Sequence, residues 1–442
     1  MHMTSLRVRN VRGIPDAERG VDLEFASKGE PVPRWVVLAG RNGAGKSTLL
    51  RAVASTIAGP GMARVLAESF RGWIREDASH AIAASRLRFT DEDYFGSGRK
   101  PTFEPWVAVR WERTSGPEPQ TSRELVGGRW TPERGPWADN PRGWFVAGYG
   151  PFRRISAAPT EALRLMMSPG RPAALASLFR EDASLSESIQ WLQQKYLQRL
   201  EGRTEAAEIE TFILHLLNDG LLPDGITASR VTSEGLWVDD PDGVSVVLNE
   251  LSDGYRIVAG LVLDLIKQFD VSQEGLAYSI DPSPTVENSG VVLIDEIDVH
   301  LHIDWQKRIG FWLKEHFPNI QFIISTHSPF ICQAADPGGL VRLTPPWEGG
   351  PAAVIIGGEE YRRIVNGTAD EAVLTSLFGV DSVLSEKALQ LRRRLAELEV
   401  KGVLESLSSE ETDEKQALQE KLPNTQAATV SRQSDQLLGD RT

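Results

Sequence analysis

Gly40-Arg41-Asn42-Gly43-Ala44-Gly45-Lys46-Ser47 is the stretch on which the reading of this 442-residue chain turns. It matches the pattern Gly-x-x-x-x-Gly-Lys-Ser/Thr in full. The run before it, Trp35-Val36-Val37-Leu38-Ala39, is continuously apolar, the mark of a strand covered on both faces of a sheet. From Leu49 to Ala58 the chain is rich in Leu, Ala and Val and reads as a helix. A glycine-rich turn in that setting folds its backbone N–H groups inward around phosphates, and the helix adds its positive N-terminus. Residues 40–48, Thr48 included, are therefore the expected nucleotide-binding stretch. Lys46 should reach the β- and γ-phosphates, and the Ser47 hydroxyl should take one Mg²⁺ position.

Three further motifs follow. Val291-Val292-Leu293-Ile294 is a second doubly buried run and ends in Asp295-Glu296. A carboxylate at such a strand exit can hold Mg²⁺, and the next one can polarise an attacking water. Leu251-Ser252-Asp253-Gly254-Tyr255-Arg256 is a turn opening a helix, with a hydroxyl and backbone donors for an anion. By itself it is also what an ordinary N-cap looks like. The third buried run, Gln321-Phe322-Ile323-Ile324-Ser325, leads into Thr326-His327-Ser328-Pro329. His327 is placed to hydrogen-bond a γ-phosphate or the attacking water.

Buried runs alternating with helices, such as the one expected near 303–316, indicate a mostly parallel α/β sheet. Leu6 to Val11 and Val21 to Phe25 alternate apolar and polar, as half-buried strands do, and 85–150 holds several short strand candidates. Between Ser184 and Leu222 the period becomes helical: Ile189, Leu192, Tyr196 and Leu200 share one stripe, Ile213, Leu216 and Leu217 another. Near the end, Leu391, Leu395 and Leu398 lie on one helical face beside Arg392, Arg393 and Arg394, and Ser408-Ser409-Glu410-Glu411 has the form of a capping box. Beyond Pro423 the chain is polar, and disorder is expected.

Lys+Arg 48 against Asp+Glu 61 leaves a net charge of -13, which argues against coating nucleic acid through the overall field; a local basic groove stays open. A single cysteine, Cys332, excludes an internal disulfide framework or a cysteine-built zinc site. Residues 1–10 lack a signal-peptide core, and no stretch approaches eighteen uninterrupted apolar residues. A cytoplasmic protein without a membrane partner is expected.

In their chain order, with the Ser252 turn between the phosphate loop and Asp295-Glu296 and the His327 turn last, the four motifs resemble ATP-binding-cassette ATPases, specifically their chromosome-maintenance and overcoming-lysogenization-defect branch. Asp295-Glu296-Ile297-Asp298-Val299-His300-Leu301-His302 with Trp305-Gln306, and Phe317-Pro318-Asn319-Ile320-Gln321, look like a bacterial AAA-type subgroup. That subgroup includes Septu-type and retron-associated anti-phage ATPase subunits. The resemblance covers about 5–50 and 145–335. It implies an α/β P-loop NTPase of ATP-binding-cassette type: a mostly parallel sheet, an antiparallel β part, an inserted helical lid and a small helical C-terminal region. The expected partition is 1–150 and 251–335 for the two parts of the head, 151–250 for the lid, 336–422 for the C-terminal helices and 423–442 for the tail.

The resemblance also implies function. Two heads sandwich two ATP molecules, with Ser252, Asp253 and Gly254 of one copy closing on the phosphate held by Lys46 of the other. Lys46, Glu296 and His327 take catalytic roles, with Glu296 as the base; Ser47 and Asp295 hold Mg²⁺; Arg12, in the turn Asn10-Val11-Arg12-Gly13, lies near the nucleotide; and Asp298 communicates across the dimer. An ATPase is thus expected whose homodimer, or higher oligomer, controls a separate effector, a nuclease, in anti-phage defence. DNA or phage-derived nucleic acid is a further candidate partner. The alternatives are a nucleotide-gated DNA sensor or clamp with little turnover, and a DNA-repair ATPase without a toxic effector.

Two features depart from the branch. Its glutamine at the entry to the lid is missing from Ala147-Gly148-Tyr149-Gly150-Pro151-Phe152-Arg153-Arg154, where Tyr149 could only be a packed aromatic or a substitute. No acidic nuclease set follows His327. Two other patterns stand apart from the motifs. His300-x-His302 offers too few donors for zinc. Trp106, Trp111, Trp130, Trp137 and Trp144, interleaved with Arg110, Arg113, Arg123, Arg129, Arg134 and Arg142, form either a stacking surface for single-stranded nucleic acid or ordinary sheet packing.

Overall fold

The computed structural model describes residues 1–16, 19–96, 100–126, 130–152, 170–181, 186–222, 224–272, 274–380 and 382–422. A six-stranded sheet runs in the order Ala353–Ile355, Leu340–Leu343, Trp35–Ala39, Ile320–Thr326, Gly290–Ile294, Val146–Tyr149. All neighbours pair in parallel except Ala353–Ile355, which is antiparallel at one edge. The three runs read as doubly buried strands are consecutive in this sheet and buried at every position. They are apolar on both faces because both faces are covered. Parallel strands deliver the loops after their C-termini to one edge, where a ligand can meet several of them at once.

A five-stranded antiparallel sheet, Val21–Glu24, His2–Arg9, His80–Arg88, Trp106–Glu112 and Gln120–Arg123, supplies the antiparallel part. Helix Lys46–Ala58 shares a core with both sheets: Leu49, Val53 and Ile57 pack in one cluster with Leu6, Val109 and Val291. Each such fully buried aliphatic side chain stabilises the fold by about 1.5–3 kcal/mol. The α/β fold with its mostly parallel sheet is as the motifs led one to expect.

Between Val146–Tyr149 and Gly290–Ile294 the chain forms helices Arg171–Phe179, Ser186–Leu200 and Thr204–Asn218, then a three-stranded antiparallel sheet over Thr227–Thr232, Gly235–Asp239 and Ser245–Val247. Ile189, Leu192, Ile213, Leu216 and Leu217 are buried as their stripes required; Leu200, near the helix end, is 61% exposed. The segment 151–250 is therefore partly β and shares a core with the main sheet, since Phe212 and Ile213 cluster with Trp35 and Val37.

One expectation is corrected. Residues 336–422 are not a helical region throughout, because Leu340–Leu343 and Ala353–Ile355 extend the main sheet. The compact unit that holds the sheet runs from Met1 to Gly379. The second unit begins at Val380 and contains helices Glu386–Leu404 and Ser409–Lys421. They pair through buried Leu398 and Leu418 and through Arg394–Glu414 at 2.8 Å and Lys401–Glu411 at 2.6 Å. The Ser408/Glu411 capping box is formed. The expected tail 423–442 lies outside the described residues.

Candidate nucleotide site

Gly45 sits in the left-handed region (φ 93°) as the N-cap of Lys46–Ala58 and places no side chain on the first amides. A glycine tolerates that backbone, and the uncapped helix N-terminus keeps donors for an anion. Lys46 is 7% exposed, and its Nζ donates to the carbonyls of Gly40 at 2.9 Å and Arg41 at 3.3 Å. Burial lowers its pKa; the charges of Glu296, Asp295 and Asp298 pull it back up. The ammonium thus faces three carboxylates contributed by the neighbourhood of the Gly290–Ile294 strand end.

That strand end is tied to its neighbour. Asp295 is buried and accepts the Ser325 hydroxyl at 2.5 Å; the Ser325 hydroxyl oxygen in turn accepts the Glu296 N–H at 2.8 Å. Ile297 N–H donates to the Ser325 carbonyl at 3.1 Å. These bonds hold Glu296 at φ 47°, a conformation uncommon outside glycine, and turn the chain sharply off the strand. Asp298 accepts Thr326 Oγ1 at 2.5 Å and His327 N–H at 3.4 Å. Ser328 Oγ donates to Gln306 Oε1 at 2.7 Å. The His327 ring is exposed at the mouth of this edge. Its pKa is lowered, by desolvation first and by the Lys46 charge second, against the pull of Asp298 and Asp295. Lys46, Asp295, Glu296, Asp298 and His327 therefore meet at one edge. Such a set can bind an anion, hold a divalent cation and deprotonate water. Ser325, Thr326 and Gln306 organise it; hydroxyls closing a buried strand were the signal in the sequence.

The Ser252 turn lies elsewhere. Ser252 is the N-cap of the long helix Asp253–Asp270 and makes no side-chain cap bond. A Cβ on Gly254 would stand 2.8 Å from the Trp305 ring and 3.1 Å from the His300 carbonyl, so this glycine permits a close approach. The turn opens on a cavity of about 680 Å³ lined by Tyr255, His300 and Asp304, with no residue of the phosphate loop. Asp253 is held by Arg256.

Arg12 has φ 50° and lies over Trp73, 5.0 Å from the ring centroid. Burial and Arg51 lower its pKa. Ile14, in the same turn, comes within 3.9 Å of a Cβ built on Gly45, so this turn borders the phosphate loop. Tyr149 is 1% exposed and donates to Asp264 at 3.1 Å; it is a packed aromatic. Arg153 and Arg154 lie outside the described residues. His302 caps helix Ile303–His316, accepting Asp304 N–H at 3.4 Å. Among the described residues most of this row is taken up in packing: Trp111 and Trp144 are fully buried, Trp137 donates to Thr56 and Trp130 to Trp106, while half-buried Trp106 has Arg7 at 4.6 Å and Arg86 at 5.6 Å from its ring centroid. Arg110 is paired with Glu124 and Arg113 with the Ala78 carbonyl, while Arg129 lies outside the described residues. Trp111 and Trp144 pack the sheet.

A family described as "AAA domain, putative AbiEii toxin, Type IV TA system" matches residues 36–333. The chain belongs to that family. The match starts in the phosphate-loop strand and ends just past the His327 turn, so the AAA family's domain includes all four motifs. Over 97 residues the chain is 38% identical to "Retron Ec83 probable ATPase" of Escherichia coli, covering 22% of this chain and 17% of that protein. Over 157 residues it is 28% identical to "Septu protein PtuA" of Bacillus thuringiensis, covering 35% and 38%. The chain thus spans well under half the length of the curated relatives it matches. The resemblance to retron-associated and Septu proteins stands. A solved chromosome-maintenance head bound to the C-winged helix domain of ScpA is 17% identical, with a TM-score of 0.47, over 82% of this chain and 100% of that one. No helix among the described residues is long and apolar enough to cross a membrane.

Proposed function

We propose that the chain binds and hydrolyses ATP at residues 40–48 and acts as a homodimer, each Ser252 turn closing on the phosphate held by the other copy's Lys46. The observation that carries this reading is the meeting of Lys46, Asp295, Glu296 and His327 at one sheet edge, with the Ser252 turn outside it. A lone copy then has the hydrolytic groups and lacks the closing turn.

The residues fit the expected ligands. The uncapped helix N-terminus and Lys46 suit a triphosphate, and Lys46 would exchange the Gly40 and Arg41 carbonyls for phosphate oxygens. Mg²⁺, held by the Ser47 hydroxyl and Asp295, would supply charge neutralisation at the phosphates. Glu296 takes a proton from the attacking water as its oxygen bonds to the γ-phosphorus and the bond to ADP breaks. His327, neutral because its pKa is lowered, hydrogen-bonds the γ-phosphate. Arg12 borders the nucleotide.

The Septu and retron relatives support a use in anti-phage defence. In this reading the cycle controls a separate effector, a nuclease. Radiolabelled-phosphate release by wild type and Glu296→Gln tests the enzyme: no release by wild type ends that reading. A second reading, a nucleotide-gated sensor or clamp with little turnover, is favoured by Tyr149, whose hydroxyl is turned to Asp264 where the branch has a glutamine.

A further inference from the structure

Five parallel strands end at the sheet edge that carries the site. Four of them lead into segments already discussed, at 40, 150, 295 and 327. The fifth, Leu340–Leu343, pairs with the phosphate-loop strand and continues into Thr344-Pro345-Pro346-Trp347-Glu348. Parallel pairing leaves that segment no other exit than beside the phosphate loop.

Trp347 is 68% exposed, the one exposed tryptophan among the twelve. Its ring edge comes within 3.2 Å of a Cβ built on Gly43, so the indole stands against the loop itself. Pro346 lies 2.8 Å from a Cβ on Gly13, which brings the Arg12 turn to the same place. The segment is held: Glu348 takes Arg342 at 2.9 Å and Arg41 at 3.7 Å, and Arg19 donates to the carbonyls of Glu348 at 3.1 Å and Gly350 at 3.2 Å. Pro345 and Pro346 stiffen it further. An indole with an exposed face is a large apolar surface left in water, and a fixed one loses little entropy when a flat partner covers it.

We propose that Trp347 is the stacking platform for the purine base of the nucleotide whose phosphates the loop 40–48 holds. Phosphates bound by Lys46 and the helix N-terminus place the attached nucleoside within reach of the rim of the loop, and Trp347 is an exposed aromatic side chain on that rim. This rests on the ATP-binding reading above and adds the base site to it.

The test titrates the full chain calorimetrically with Mg-ATP and with inorganic tripolyphosphate, in wild type, Trp347→Ala and Trp347→Phe. Stacking on an aromatic ring gives Trp347→Ala an expected loss of about tenfold in ATP affinity. Tripolyphosphate affinity stays unchanged, and Trp347→Phe recovers most of the loss. Unchanged ATP affinity in Trp347→Ala overturns the platform alone. Equal losses for ATP and tripolyphosphate also overturn it, making Trp347 a prop for the loop. A wild type that binds neither compound overturns the ATP reading and the platform with it.

Discussion

Ser325 and Asp295 stand at the ends of adjacent parallel strands, and the Ser325 hydroxyl donates to the Asp295 carboxylate at 2.5 Å while accepting the Glu296 amide at 2.8 Å. Both Ser325 and Asp295 are buried, so no water replaces the hydroxyl. Ser325→Ala should cost about 1–3 kcal/mol in urea unfolding, the usual penalty for stranding buried polar groups. It should also lower kcat more than it raises KM, because Glu296 loses the bond that sets its turn. Unchanged kcat would show that Glu296 is positioned by other contacts.

Glu296→Gln removes a base without changing the side-chain shape. Phosphate release should fall by about a hundredfold or more, as loss of general-base catalysis does. ATP binding should persist, and light scattering should show dimers accumulating with ATP and Mg²⁺. A Glu296→Gln protein that stays monomeric under saturating nucleotide counts against sites shared between copies.

Gly254→Val drives a side chain into Trp305, since even a Cβ would sit at 2.8 Å. The variant should bind ATP and fail to turn it over, whereas Lys46→Ala should fail to bind it. Mixed in equal amounts, the two form heterodimers with one intact composite site, and about a quarter of wild-type turnover should return. No recovery would place both functions within a single copy.

His327 sits below the ordinary imidazole value of 6.5, by desolvation and then by Lys46. The folded protein therefore binds that proton only at a pH below 6.5, and the neutral ring persists through neutral pH. Turnover should hold as pH falls to 6.5 and decline below it, and the decline should be absent from the residual activity of His327→Gln. A stopped-flow pH series checks this; an acid limb centred at or above 6.5 contradicts it.

Tyr149→Phe removes the hydroxyl that donates to Asp264 at 3.1 Å. Asp264 is buried and its pKa is raised by desolvation, so it loses a donor it needs. Stability should drop by about 1 kcal/mol at neutral pH, read from the urea midpoint. If phosphate release stays at the wild-type value, the packed-aromatic role of Tyr149 is the whole of it.

Most of the sheet was legible because its strands are buried on both faces and must be apolar through their middles, as Val291 to Ile294 and Phe322 to Ile324 are. The helix near 303–316 was legible from its period. Leu340–Leu343 and Ala353–Ile355 were not: they are short, flanked by prolines and glycines, and made into strands by the edge of a sheet that already exists. Tryptophans among arginines were ambiguous for a related reason. Composition does not say which face of a strand is covered, and only packing showed Trp111 and Trp144 inside.

What the sequence by itself determined is the phosphate loop, the acidic strand end, the Ser252 turn and the His327 turn, because each is a local chemistry of a few consecutive residues. Which of them meet was decided by the tertiary structure. Residue 46 lies more than two hundred positions before 295 and 327, and the three become neighbours because parallel strands deliver their loops to one edge. The same kind of pairing brought Trp347 to the phosphate loop, whereas the Ser252 turn, at the start of helix Asp253–Asp270, opens elsewhere.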